Sequence, residues 1–300
     1  MFTFVKKGCE YRYFKHYIAS NNSALPDEHA NLKREFWPNR DRGLHVALTY
    51  TSETTKNGWQ RTRMICKPFK CIFVHIPKAA GRSVEKYFMD RLNLDRENAA
   101  HRRQLLLVNN DDPALGTQRL SHLSAMEYVR CGHLTQAEFD AFYKFSFVRN
   151  PWSRLVSEYR YRAYFSDRNF KDFVFNKLPK PGWDDRYRHV MPQSQMLCSD
   201  DGQLLVDFVG KFERLAKDFE QVCAALGFDN TALPHSNPSN KKSRELRRNF
   251  KNLIYRNKES GLHRYVDFYD DETREFVAEL YRSDIEMFDY SFADALSSPP

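Results

Sequence analysis

Two patterns of apolar and polar positions alternate along the chain. From Cys71 to Ile76 the run Cys71-Ile72-Phe73-Val74-His75-Ile76 is almost unbroken apolar and stops at Pro77, which suits a strand buried on both faces. A tight loop, Pro77-Lys78-Ala79-Ala80-Gly81-Arg82-Ser83, follows, and Val84 to Leu92 reads as a helix. A second unit repeats the order. Tyr143 to Val148 is aromatic-rich and strand-like, and Arg149-Asn150-Pro151 turns the chain. Asn150 suits an N-cap and Pro151 the first helical position. Trp152, Leu155, Val156 and Tyr159 then fall at i, i+3, i+4 and i+7, an apolar stripe for core packing, with Arg149 and Ser157 off it. Asp200-Asp201-Gly202 marks a turn, Leu204 to Val209 a short strand, and Glu213 to Leu226 a helix capped by Gly227. A Pro/Asn/Ser/Lys-rich loop spans Pro234 to Lys242, a basic stretch spans Arg244 to Arg256, and one amphipathic helix spans Asp271 to Phe288. Strands alternating with helices predict an α/β fold with a mainly parallel central sheet flanked by helices.

Composition narrows this picture only a little. With 300 residues, 41% hydrophobic, 24 Phe and 16 Tyr, the chain can bury a sizeable core. The net charge of +8 favours anionic partners without choosing among nucleotides, acidic polysaccharides, nucleic acids or lipid surfaces. Residues 1–65 are polar and irregular, an expected N-terminal extension packing on the core; residues 66–292 hold the main domain and 293–300 a tail. No apolar run reaches membrane-spanning length and Met1 to Lys7 lacks a secretory apolar region, so the expected location is cytoplasmic, or the Golgi lumen if an anchor lies outside this sequence. The six cysteines form no C-x-x-C pair and are expected to be free thiols.

The loops carry the chemistry. A loop between a buried strand and a helix N-terminus directs amides and the positive end of the helix dipole at an anion. In Pro77 to Ser83 the small residues Ala79, Ala80 and Gly81 let backbone approach a ligand, Lys78 and Arg82 add charge, and Ser83 adds a hydroxyl. The lysine precedes the glycine, unlike the nucleoside-triphosphatase loop, which weakens a kinase reading. Arg149 and Ser157 offer a second anion position. Two such positions on one sheet suit a ligand with phosphates at both ends.

At these residues the chain resembles a known family. Ile76-Pro77-Lys78-Ala79-Ala80-Gly81-Arg82-Ser83 is similar to the 5′-phosphosulfate loop of carbohydrate-type sulfotransferases, I-P-K-T-x-G-T-S. Phe147 to Tyr159 resembles their 3′-phosphate signature, F-x-R-[ND]-P-x-x-R-x-x-S-x-[YF]. Pro192-Gln193, Val206 to Glu213 with Asp218-Phe219, and Asp284 to Tyr290 match weaker elements in the same order, so the resemblance covers about residues 66 to 292. It implies a P-loop nucleotide-kinase-like sheet and the donor 3′-phosphoadenosine 5′-phosphosulfate (PAPS), with no metal required. It also implies that Lys78 through Ser83 hold the 5′-phosphosulfate, with Lys78 catalytic, and that Arg149 and Ser157 hold the 3′-phosphate. The acceptor it implies is a carbohydrate hydroxyl, acidic carbohydrates included, and not nucleic acid. The two loop threonines are Ala79 and Arg82 here, so two hydroxyl donors are missing.

Histidine suits the base that takes the acceptor proton. Among ten histidines His133, in Arg130-Cys131-Gly132-His133-Leu134, is the candidate, since its G-H context resembles that of a catalytic histidine in uronyl- and glucosaminyl-sulfotransferases; the bland alternative is that it caps a turn. His122 and His75 rank lower, His75 as a core residue. Glu158 is a fallback base that otherwise pairs with Arg154 or Arg162. Residues 238–242 are a candidate lid, and Arg160, Arg162, Arg186 and Arg188 line an acceptor groove or are surface charge. Two rivals stay open, a P-loop-like small-molecule kinase and a non-catalytic polyanion-binding module.

Overall fold

The apolar runs pair edge to edge. A computed structural model of the protein describes residues 65–166, 168–234 and 264–293. Strands β1 (Ile65–Cys66), β2 (Cys71–Val74), β3 (Tyr143–Val148) and β4 (Phe208–Lys211) lie in that order in one sheet. β2, β3 and β4 run parallel, pairing Phe73 with Phe145 and Phe147 with Gly210, while β1 adds a two-residue antiparallel edge. Every residue of β2, and β3 from Lys144 onward, is buried, which accounts for the continuous apolar runs. The connections carry helices α1 (Gly81–Arg91) after β2, α2 (Pro151–Tyr161) and α3 (Gln193–Leu197) after β3, and α4 (Leu215–Ala225), α5 (Asp271–Leu280) and α6 (Arg282–Phe288) after β4. No helix among the described residues is long and apolar enough to cross a membrane.

The expected stripe on α2 is fully used. Trp152, Leu155, Val156 and Tyr159 are buried with Phe170, Phe173, Val277 and Tyr281 in one cluster, while the sheet, α1 and α4 enclose another. Asn150 caps α2 by accepting from the Ser153 amide at 3.2 Å, with Pro151 in the first turn. Gly227, at φ +69°, follows the end of α4 as expected.

Three boundaries differ from expectation. β2 leaves the ladder after Val74, although His75 and Ile76 stay buried. β4 begins at Phe208 and not at Leu204, which is exposed and forms an isolated bridge with Cys198. Apolar character marked this segment, but register was set by polar groups: the Lys144 amide donates to the Asp207 carboxylate at 2.7 Å and the Asp207 amide to the Lys144 carbonyl at 2.8 Å. Gly210 belongs to the strand because the Phe147 ring fills its side-chain space; a Cβ there would lie 2.4 Å from Phe147 Cε1. Finally, the helix expected over 271–288 divides at Tyr281, whose buried hydroxyl donates to the Val190 carbonyl at 2.5 Å. The expected lid at 238–242, the basic stretch at 244–256, nearly all of the N-terminal extension and residues 294–300 lie outside the described residues.

The start of α3 is held by a buried carboxylate. Asp284 of α6 accepts from the amides of Gln193 and Ser194, each at 2.8 Å, and from Ser194 Oγ at 2.7 Å. Asp284→Ala would strand these buried donors and is expected to lower stability by about 3 kcal/mol or more, measured by urea unfolding. A loss below about 1 kcal/mol would show that the carboxylate is not holding α3.

Candidate active site

β2 and β3 are parallel neighbours, so the loops that follow them leave the same end of the sheet, where ligands of open α/β sheets bind. In the first loop Lys78 (φ +71°) and Ala80 (φ +66°) both occupy the left-handed region. For residues with a Cβ this costs of order 1–3 kcal/mol each and persists only where surrounding contacts enforce it. The Ala79 amide bonds the Ile76 carbonyl at 3.3 Å and the Ser83 amide the Ala80 carbonyl at 3.0 Å, closing the loop on itself. The first amides of α1 have no acceptor within the helix, and its dipole favours an anion there. Ala79 is buried, Ser83 half-buried and Arg82 exposed. At Gly81 the backbone lies against the His75 ring, and a Cβ would fall 1.9 Å from His75 Nε2.

The second loop is bound to the first. Arg149 donates through Nη1 to the Lys78 carbonyl at 3.2 Å, and through Nε and Nη2 to Ser153 Oγ at 3.1 and 2.8 Å. Its guanidinium also covers the Phe212 ring, 4.3 Å from the centroid. Burial lowers the Arg149 pKa to about 10 against the opposing pull of Glu213 and Tyr290, so it stays cationic at neutral pH. Gln193 brackets the Arg149 backbone, accepting from its amide and donating to its carbonyl, both at 2.8 Å. Glu213 accepts from the Asn150 amide at 2.8 Å and from the Tyr290 hydroxyl at 3.0 Å. Ser157 lies one helical turn beyond Ser153 and is half-buried. Lys78 Nζ sits 3.9 Å from the centroid of the exposed Tyr161 ring at the end of α2. One hydrogen bond therefore joins Arg149 to the lysine loop.

Arg154, almost wholly buried, joins the loops from beneath. It donates to the carbonyls of Pro77 (3.1 Å), Met191 (2.8 Å) and Arg188 (3.3 Å).

Beside these loops lies a chain of histidines that sequence reasoning did not assemble. His75, His122 and His189 are all buried, with ring centroids 5.0 Å apart for the first pair and 5.2 Å for the second. Each faces its own carboxylate: His75 Nδ1 lies 2.8 Å from Glu85, His122 Nδ1 2.5 Å from Asp185, and His189 Nδ1 2.6 Å from Glu158. The far end reaches the lysine, because His189 stacks on Tyr161. Burial pushes the His122 pKa down to about 3, outweighing the upward pull of Asp185. Burial opposes ionisation of Asp185, yet bonds to His122 and His189 hold it well below the usual carboxylate range. His122, Asp185 and His189 present one ligand atom each within 4.8 Å, a set that suits a divalent cation by distance. The Arg162 guanidinium, 3.4 Å from Asp185, favours a proton network there instead.

Other candidates are placed differently. His133 Nε2 lies 2.8 Å from the Leu115 carbonyl and its amide bonds the Tyr128 carbonyl, a turn-capping arrangement. Glu158 is fully buried between Arg162 (2.9 Å) and His189, so its role as a fallback base gives way to a structural one; Arg154 donates to carbonyls instead. Arg162, Arg186 and Arg188 pair with Glu158, Asp184 and Glu127, which argues against an arginine-lined groove. Arg160 covers the Phe268 ring.

The model of the sulfotransferase family fits residues 61–291, a span that holds both loops. The chain belongs to the sulfotransferase family. An uncharacterised protein of Archaeoglobus fulgidus is 30% identical over 98 residues, 30% of this chain and 71% of that protein. No solved structure matches. That membership supports sulfuryl transfer as the chemistry.

The contact between Gly81 and His75 offers a test. Gly81→Ala forces the His75 ring or the loop to move and is expected to destabilise the protein by about 1–3 kcal/mol. Thermal unfolding with wild-type behaviour would show that the loop does not depend on this approach.

Proposed function

We propose that this protein transfers the sulfuryl group of PAPS to a carbohydrate hydroxyl. The observation that carries this is the hydrogen bond from Arg149 to the Lys78 carbonyl, which holds the two anion-binding loops side by side. In this reading the loop from Lys78 to Ser83 receives the 5′-phosphosulfate, and Arg149 and Ser157 receive the 3′-phosphate. The acceptor oxygen attacks sulfur in line, the bond from sulfur to the 5′-phosphate oxygen breaks, and Lys78 offsets the charge developing on the leaving phosphate. A nucleotide-kinase-like origin for the sheet is consistent with these strand-loop-helix units. Ala79 is buried and brings no hydroxyl to the loop, and the exposed Arg82 supplies charge at the loop rim.

For the base we assign His122 ahead of His133. His122 belongs to the chain that touches Gly81 through His75 and Tyr161 through His189. With Nδ1–H directed at Asp185, its Nε2 is the accepting nitrogen, the orientation a carboxylate enforces in other histidine bases. His133 remains the alternative, with its Nε2 on Leu115.

Calorimetric titration with 3′-phosphoadenosine 5′-phosphate against adenosine 5′-phosphate tests the donor. Binding should require the 3′-phosphate and weaken at least tenfold in Arg149→Ala; equal binding of both nucleotides would return the reading to a kinase or polyanion-binding module.

Single substitutions test the base. His122→Ala should lower kcat about 100-fold or more with donor affinity retained, and His133→Ala should leave kcat within a few-fold. Since His122 is held at about 3, parental activity should stay flat from pH 8 down to pH 5. A fall within that range would count against His122 as the base.

A further inference from the structure

We propose that Cys66 and Cys71 form a redox site, two facing thiols that close reversibly into a cross-strand disulfide and clip β1 to β2. The inference is independent of the proposed sulfuryl transfer.

The placement comes from the strand register. β1 and β2 are antiparallel and joined by the 3-10 turn Lys67–Phe69 and by Lys70, whose left-handed backbone (φ +46°) returns the chain. The Lys70 amide donates to the Lys67 carbonyl at 3.1 Å, and the turn sets Cys66 directly opposite Cys71 in the ladder. Opposed residues of an antiparallel pair have Cα atoms about 4.5–5.5 Å apart and share one face of the sheet. A disulfide spans Cα separations of about 4.4–6.8 Å, so the backbone already has the spacing that the bond needs. The side chains agree with the backbone. Both thiols are buried, at 4% and 1% exposure, and line one cavity with Phe73 and Phe88. They are also hydrogen-bond partners of each other, whereas Cys198 meets the sulfur of Met287 and Cys223 the hydroxyl of Tyr87.

The two thiols are unequal. The bond from Cys71 lowers the Cys66 pKa against the pull of burial, while the same bond and burial raise that of Cys71. Cys66 therefore ionises first and is the nucleophile. Access comes through β1, an edge strand of two residues, because so short a pairing opens locally. A peroxide is the oxidant class small enough for such a site. The Cys66 thiolate attacks one peroxide oxygen, the O–O bond breaks, and the departing hydroxide takes up the proton that Cys66 released, leaving a sulfenic acid. The Cys71 sulfur then attacks the Cys66 sulfur, the S–O bond breaks, and water leaves with the Cys71 proton. Two electrons pass from the thiols to the peroxide and two waters form. Because β2 runs from Cys71 toward the lysine loop, the bond closes at the opposite end of the strand from Lys78. It acts on stability, away from the candidate active site.

The experiment is hydrogen peroxide treatment of the folded full chain, then denaturation with an alkylating agent, trypsin digestion without reductant, and mass spectrometry. Trypsin cuts after Lys70, so the disulfide is expected as peptides 64–70 and 71–78 joined, two hydrogen masses below their sum and separated by a phosphine. The oxidised parent should melt about 3–8 °C above the reduced parent, a shift that Cys66→Ser and Cys71→Ser lose. If a serine variant does not fold, the peptide map of the parent carries the test alone. Recovery of both cysteines alkylated after peroxide would overturn the inference. So would Cys66 carried on to a sulfinic acid beside an alkylated Cys71, or either cysteine joined to a different one.

Discussion

The site depends on a buried guanidinium. Arg154 leaves α2 and donates to carbonyls from the lysine loop, from the Asp185–Arg188 helical turn and from Met191. Burial works against its charge, and the nearby Tyr281, Asp284 and Glu158 work for it. Such a group is tolerated because its planar donors match carbonyls in fixed directions, a geometry that lysine cannot supply. Its effect is to set three segments against one another. The Pro77 carbonyl fixes where Lys78 begins its left-handed turn, and the Arg188 and Met191 carbonyls fix the two sides of His189. The lysine and the histidine chain are therefore registered to the same side chain.

Around this centre, the weaker sequence elements act as scaffold. Gln193 holds the Arg149 backbone, Asp284 holds Gln193, Glu213 holds the Asn150 amide, and Tyr290 holds Glu213. Asp218 of α4 likewise accepts from the Lys211 amide at 2.7 Å, closing the end of β4. Apart from the side-chain bond of Tyr290 to Glu213, each link satisfies a backbone amide that the chain would otherwise leave unpaired where an element begins or ends. The result is an Arg149 whose position follows from its backbone as well as its side chain. Such rigidity would suit the proposed donor site, since a displacement of about 1 Å is costly for in-line transfer.

This division explains what could be read from the chain. The strands at 71 and 143 and the helices after them were legible because burial on both faces and a one-sided helical stripe leave periodic marks. The places of Lys78 and Arg149 in the fold were legible because each lies in the loop that follows such a strand. The start of β4 was not, because the pairing of Asp207 with Lys144 is a contact between residues 63 apart and leaves no local pattern. The break at Tyr281 is of the same kind: its apolar character continues the helix, and only its hydroxyl bond to Val190 shows why the chain turns. His75 did sit in an apolar run and is a core histidine in part, but its ring also sets the glycine at position 81.

The histidine chain shows the limit most clearly. His122 and His189 are separated by 67 positions, and neither lies in a recognisable motif. Their partners, Asp185 and Glu158, come from different elements, so no spacing rule joins them. What does join them is contact: three buried imidazoles stand in a row, each within 2.8 Å of a carboxylate, and those carboxylates call for positive charge. Arg162 and Arg96 supply that charge, which withdraws them from the pool of surface cations that the net charge suggests. The +8 balance thus overstates the free charge near the site, and part of it is the counterweight of a buried acid–histidine network.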